Sequence, residues 1–346
     1  MAGTDSITIT RTIHPVGQGA FYSETFKNAD ESAIFTAVYD CGGKKECWET
    51  DINTLEKNVD ILFISHFHSD HINGVPLLIE KKKPKLVVIP QLSPAIFLVD
   101  FVSNCMKDKS GEANSFMLRT LPLMSTGNGE GHNDDTKYEL VKSDVPYTPP
   151  TSISNWEYVA FYKEDDVEER KLADNLSGIL GLEDYKPGQY LPISVYQGIA
   201  SKLSNEDASA EINQGLLKRI RDAYDHAFKG NHNSYSMLVL SHEVKPDNSD
   251  GHSFDCLYTG DVFPDEYVLQ IVTDYAPDYI QVPHHGSNCN HNNNLYRKDR
   301  VAFMSVGETN RYRHPGLRTL IYIYDNSKEI HVVTEHRRFQ PKAIQL

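Results

Sequence analysis

Four metal-competent side chains, His66, His68, Asp70 and His71, stand within six positions of this sequence. They close the run Ile-Leu-Phe-Ile-Ser-His-Phe-His-Ser-Asp-His that begins at Ile61. Imidazole and carboxylate groups at this spacing are suited to holding divalent cations. The apolar residues 61–64 read as a core strand, and each polar side chain at its end would lose roughly 1–3 kcal/mol if buried without a partner. A cation is the partner that fits. Along an extended chain His66 and His68 point the same way and share one ion, while Asp70 and His71 lie far enough on to hold a second.

Later stretches repeat the arrangement of a strand ending in a donor. Residues 254–261 read as a strand closed by Thr-Gly-Asp, where the carboxylate of Asp261 can bridge two cations and Gly260 lets the backbone turn away. His232 precedes an apolar strand. Residues 279–287, Tyr-Ile-Gln-Val-Pro-His-His-Gly-Ser, and a strand over 301–306 leading to Asn310-Arg-Tyr-Arg-His-Pro315 both place histidines at strand ends. His242, His252, His291 and the lysines 81–83 lack such a setting and read as solvated surface.

The elements that must position these residues follow in order. Residues 6–12 alternate Ile with Thr as a half-buried strand does, and residues 33–39 form a second strand ending at Asp40-Cys-Gly-Gly43. Gly17-Gln-Gly19 reads as a hairpin, and glycines there and at Gly42 and Gly43 allow a close backbone approach. Residues 72–80 read as a short helix and 86–90 as a buried strand, so strand, turn, helix and strand imply a layered α/β fold. Another helix is expected over 264–275. Between Gln91 and Lys229 helical patterns alternate with polar loops; Ile212, Leu216, Ile220, Ala223 and Ala227 mark an amphipathic helix explained by core packing.

His-x-His-x-Asp-His resembles the signature of the metallo-β-lactamase superfamily. Val16-Gly-Gln-Gly19 resembles the same four residues in the soluble metallo-β-lactamase-like domain of ComEC-type DNA-uptake proteins, with Pro15 and Ala20 where that subgroup tends to carry acids. Asn233 and Ser236 match part of its Asn-Asn-x-Ser, from which Ser234 departs. His284-His-Gly-Ser287 matches its next motif, and Ser305, Val306, Gly307, Asn310, Tyr312, His314 and Pro315 match the last. The resemblance implies an αββα sandwich made of residues 1–90 and 230–346, with 91–229 as a large, mostly helical insertion beside or over the site.

It also implies roles. One metal site would comprise His66, His68, His232 and Asp261; a second would comprise Asp70, His71, Asp261 and one more histidine, either His314 or one of His284 and His285. Phosphodiesterases of the superfamily tend to keep a proton-donating histidine between the bridging Asp and the final ligand, an order that favours His314 as ligand and His284 or His285 as acid. Asp40 reads as a carboxylate orienting a ligand histidine. Asn233, Ser236, Ser287 and Asn310 are candidate substrate contacts, and Arg311 and Arg313 could hold phosphate oxygens.

The 346 residues, 39% of them hydrophobic, suffice for a sizeable core. Five cysteines without Cys-x-x-Cys spacing indicate neither a disulfide framework nor a thiolate metal site. A formal charge of −14 argues against a general nucleic-acid coating surface, though not against a local basic cleft. No leader-like or membrane-spanning run is present, so a cytoplasmic protein without a membrane partner is expected.

The expected function is that of a dinuclear hydrolase using Zn²⁺ or Mn²⁺, with Fe also suited to such donors, and acting on a phosphodiester in nucleic acid or a nucleotide. Two cations about 3.5–4 Å apart would activate a shared water, with Asp70 among the catalytic groups and His284 or His285 protonating the leaving group. The alternatives are a hydrolase of a lactone, thioester or β-lactam, whose uncharged substrates do not need Arg311 and Arg313, and a regulatory protein on the same fold.

Overall fold

The computed structural model describes residues 7–56, 58–127, 130–133, 136–150, 153, 155–163, 166–182, 185–204, 210–228, 235–244, 254–341 and 344–345. The chain opens with strands β1 (Thr8–Ile13), β2 (Phe21–Lys27) and β3 (Ala33–Cys41) and helix α1 (Lys45–Thr54). Strand β4 (Ile61–Phe63) leads into α2 (Ser69–Ile72), α3 (Val75–Lys82) and β5 (Leu86–Pro90). Helices α4 (Pro94–Lys107) and α5 (Glu112–Thr126) precede strands β6 (Glu130–Asn133), β7 (Thr136–Val141), β8 (Val145–Tyr147) and β9 (Trp156–Phe161). Helices α6 (Asp166–Leu180), α7 (Ile193–Ser204) and α8 (Ala210–Phe228) come next, before β10 (Leu238–Glu243) and β11 (Cys256–Tyr258). The chain ends with α9 (Glu266–Tyr275), β12 (Tyr279–Gln281), β13 (Val301–Ser305), α10 (Leu317–Asn326), β14 (Glu329–Val333) and β15 (Ile344–Gln345).

The described strands form two sheets, ordered β15-β1-β2-β3-β4-β5-β7-β6 and β14-β13-β12-β11-β10-β9-β8. Strands β3, β4, β5 and β7 run parallel in the first, and β11 to β14 run parallel in the second. Aromatic rings join the sheets: Tyr39 stacks on Tyr258 at 5.1 Å, and Tyr22 meets Phe303 and Phe26 meets Trp156 edge-on, each at 5.6 Å. Every such buried ring contributes about 1.5–3 kcal/mol through the area it removes from water.

A polar cluster also lies between the sheets. Arg11 donates through Nε to Glu24 at 2.6 Å and through Nη2 to the Phe254 carbonyl at 2.8 Å. Tyr258 donates to the same Glu24 oxygen, and the hydroxyls of Tyr158 and Ser241 donate to the other. This explains why β2 escapes a reading by alternation. Its glutamate, and the arginine opposite on β1, point into the core as a pair rather than out to water.

The sequence reading placed residues 91–229 outside the core, and here the architecture differs. Their helices form two groups, α4–α5 and α6–α8, yet the strands between belong to the sandwich. Strand β7 lies parallel to β5 with Lys137 opposite Leu86, and β9 pairs antiparallel with β10. These are short edge-side strands bounded by polar loops, so their alternation is easily lost in the composition around them. The helix expected over 72–80 is likewise split: α2 ends before Asn73, and the amide of Gly74 turns to the carbonyl of Cys41 at 2.8 Å. No helix among the described residues is long and apolar enough to cross a membrane.

Candidate metal centre

Buried strand β4 delivers the chain, still extended at His68 (φ −66°, ψ 145°), into the four-residue α2 that carries Asp70 and His71. Two glycine turns press against this segment. A Cβ on Gly42 would lie 2.5 Å from the Asp70 carbonyl oxygen and one on Gly19 would lie 2.6 Å from it. Only glycine fits either place. The turn 14–20 is thus the hairpin between β1 and β2 and also a wall of the site, held by the Ala20 amide donating to the Asp70 carbonyl at 3.0 Å.

The hydrogen bonds fix which nitrogen each histidine offers. Ser65 donates its hydroxyl proton to Asp40, so His66 Nδ1, 2.9 Å from that hydroxyl, must be the donor to it. His71 Nδ1 faces Asp40 Oδ2 at 2.7 Å, and His285 Nδ1 faces the Ser305 carbonyl at 2.8 Å; both acceptors require a proton on Nδ1. Each ring therefore turns Nε2 toward the centre. All three Nε2 atoms are buried without a hydrogen-bond partner. Such a set of orphaned acceptors fits cations, whose ligand histidines have the other ring nitrogen tied back in this manner.

Carboxylates complete the arrangement. Asp261 Oδ1 lies 3.2 Å from His71 Nε2, and its Oδ2 lies 3.7 Å from His66 Nε2, so its two oxygens face two groups of donors. Ligand atoms of His66, His68 and Asp261 fall within 4.8 Å of one another, as do those of Asp70, His71 and His285. Burial opposes the charged forms of His66, Asp70, His71, Asp261 and His285. Against it, His284, His71 and His285 hold Asp261 well below the usual carboxylate range, and Asp261 and Asp40 hold the His71 imidazole well above its ordinary value. Asp40, fully buried, is pushed up by desolvation despite His71 and Ser65.

Backbone strain gathers here too. Asp40 (φ 55°), His284 (φ 48°) and His285 (φ 52°) are non-glycine residues in the left-handed region, each costing about 1–3 kcal/mol. The strained pair in the turn Pro283–Gly286 sends its two rings apart. His285 is buried against Asp70 at 3.5 Å, while His284, half-buried, has Nδ1 on Asn290 Oδ1 at 3.0 Å and Nε2 3.7 Å from Asp261. His314, which the motif order favoured for the second group, instead faces His284 with ring centroids 5.4 Å apart, and burial beside His284 lowers its pKa to about 4.

The candidate substrate contacts divide. Asn310 turns its amide on its own loop, donating to the Gly307 and His314 carbonyls and accepting from the His314 amide, each within 2.8 Å. It braces the loop that carries His314. That loop exposes Arg311, Tyr312 and Arg313, with Tyr312 stacked on His314 at 5.9 Å. Ser287 is buried and accepts from the Cys289 amide, and Ser236 is buried with its hydroxyl unpartnered. His232 and Asn233 lie outside the described residues, as does His252. Asn290 went unnoticed in its asparagine-rich run. Its Nδ2 donates to the carbonyls of Asp261 and Val262, which fixes its oxygen toward His284.

Residues 33–152 match the family model of the metallo-beta-lactamase superfamily. Together with the two-sheet sandwich and its flanking helices, this decides the fold. The chain has the metallo-β-lactamase fold. Among solved structures it is similar to the metallo-beta-lactamase fold protein YhfI from Bacillus subtilis, at 10% identity, 97% of this chain, 100% of that one and a TM-score of 0.45. It is also similar to a long form RNase Z from yeast, at 10% identity over 97% of this chain and 42% of that one, with a TM-score of 0.42. Unliganded yeast PDE1 aligns at 11% identity over 96% and 99% of the two chains, with a TM-score of 0.43. No curated protein matches the chain by sequence.

Proposed function

We propose that this protein is a dinuclear metal-dependent phosphodiesterase acting on nucleic acid or a nucleotide. The observation that carries the reading is the convergence of three buried Nε2 atoms, from His66, His71 and His285, on the two oxygens of Asp261. His66, His68 and Asp261 would hold the first ion, a site to which the sequence motif adds His232; Asp70, His71, His285 and Asp261 would hold the second. Zn²⁺ or Mn²⁺ suits these donors. When bound, the two ions supply charge stabilisation and an activated water.

The chain's own residues do the rest. Asp40 keeps Ser65 and His71 in place. His284 is the proton donor to the leaving oxygen: Asn290 holds its Nδ1 proton, so the proton it gains and gives up is the one on Nε2, the side facing Asp261. His285, rather than His314, serves as ligand because it is buried among Asp70, His71 and Asp261. Arg311 and Arg313, exposed on the braced loop beside His314, favour an anionic substrate. The unpaired cysteines, buried Cys41 and Cys256 among them, accord with a reducing cytoplasm.

The test is a comparison of metal-loaded protein on bis-p-nitrophenyl phosphate, a lactone and a thioester. Turnover of the phosphodiester at least tenfold above the other two is expected. A lactone or thioester turned over faster than the phosphodiester overturns the reading.

A further inference from the structure

The helices of residues 91–229 have no part in the site as described so far, yet one of them reaches it. Helix α4 is apolar almost throughout and buried from Pro94 to Asn104, with α5, α6, α7 and α8 packed around it. Within its run Ala-Ile-Phe-Leu-Val-Asp-Phe-Val stands one carboxylate, Asp100, which is fully buried. A charge in that place needs donors. The Tyr235 hydroxyl donates to its Oδ1 at 3.0 Å, and His68 Nε2 lies 3.3 Å from the same oxygen; Oδ2 has no hydrogen-bond partner.

This contact sets His68 apart from its neighbours. His66, His71 and His285 tie back Nδ1 and present Nε2. His68 has no such tie on Nδ1 among the described residues, and its Nε2 faces the Asp100 carboxylate, which accepts only from a protonated nitrogen. We infer that Asp100 is a positioning residue for the first metal site, holding His68 in the tautomer that offers Nδ1 to the ion. The inference rests on the dinuclear reading and deepens it: helix α4, outside the two sheets, supplies to the first site what Asp40 supplies to the second. Tyr235 holds Asp100 from the other side.

The experiment is a zinc titration of metal-free protein in competition with a chromophoric chelator, on wild type, Asp100→Asn and Tyr235→Phe. Wild type should bind two ions. In Asp100→Asn one of the two steps should weaken about 10–100-fold while the other stays within a few-fold, and the cobalt-loaded variant should show altered visible absorption bands. Tyr235→Phe, which removes the carboxylate's other partner, should change either step by only a few-fold. Wild-type affinities in Asp100→Asn overturn the inference and leave the dinuclear reading standing. Equal weakening of both steps with a lowered Tm of the metal-free protein makes Asp100 a packing residue only. A wild type that binds no zinc or cobalt overturns the dinuclear reading and this inference together. Proton–nitrogen correlation spectra of the zinc-loaded wild type test the same point without a variant: His68 must bind through Nδ1 with its proton on Nε2, and metal on Nε2 overturns the inference.

Discussion

Two buried polar clusters lie in this sandwich, and they are built on opposite plans. Around Glu24 each carboxylate oxygen accepts twice, from Arg11 and Tyr258 on one side and from Tyr158 and Ser241 on the other. That cluster saturates the Glu24 carboxylate, leaves only Arg11 Nη1 without a partner among its members, and joins the sheets. Around Asp261 the hydrogen bonds run outward, from each Nδ1 to Asp40, Ser65 or Ser305, and leave acceptors facing one another at the centre. A buried cluster that satisfies itself is structure; one that satisfies only its back side is built to receive something.

The largest effect that sharpens this contrast comes from removing the shared carboxylate. Asp261→Ala should lower phosphodiester turnover by on the order of a thousandfold and abolish binding of at least one ion, because both groups of donors lose a common anionic ligand. The metal-free variant should still unfold in a single cooperative urea transition, as wild type does. Elemental analysis showing two ions retained with normal turnover would make Asp261 a structural residue.

The Glu24 cluster should respond the other way. Glu24→Ala leaves Arg11 buried without its counter-charge and should cost about 3–5 kcal/mol of stability. The double variant Arg11→Met/Glu24→Leu should recover most of that loss. Zinc stoichiometry should remain two wherever either variant is folded. A change in metal stoichiometry without a change in urea midpoint would mean that the two clusters are coupled and the contrast is false.

How much of this was legible depended on whether a residue's role is local. The turn from His66 to His71 announced itself because ligands two apart on an extended chain share a face, and Asp261 and the His284–His285 pair stood at strand ends as a site requires. Gly19 and Gly42 were readable as close approaches, though not what they approach. The placing of His285 against Asp70 and of His314 against His284 was not readable, since it turns on the left-handed backbone at His284 and His285 that sends neighbouring rings to different places. Strand β2 was lost because its Glu24 breaks the alternation and only its partner on another strand explains it. Asp100 carried a signal, a lone carboxylate in an apolar helix, but nothing along the chain says that it meets His68.

The smallest expected effect concerns charges that neither cluster buries. Arg311 and Arg313 are exposed on the loop that Asn310 braces, so each can offer a substrate phosphate only a screened attraction of about 0–1 kcal/mol. Arg311→Ala and Arg313→Ala should therefore raise KM for a phosphodiester a few-fold each, with kcat nearly unchanged, because an exposed charge at the rim binds ground state and transition state alike. The difference from wild type should shrink as salt is raised from about 0.05 to 0.5 M and the Debye length contracts. A neutral lactone should show no such dependence. If either substitution instead lowers kcat at unchanged KM, the arginine acts on the reacting phosphoryl group itself, and the loop beside His314 belongs to the catalytic centre rather than to its rim.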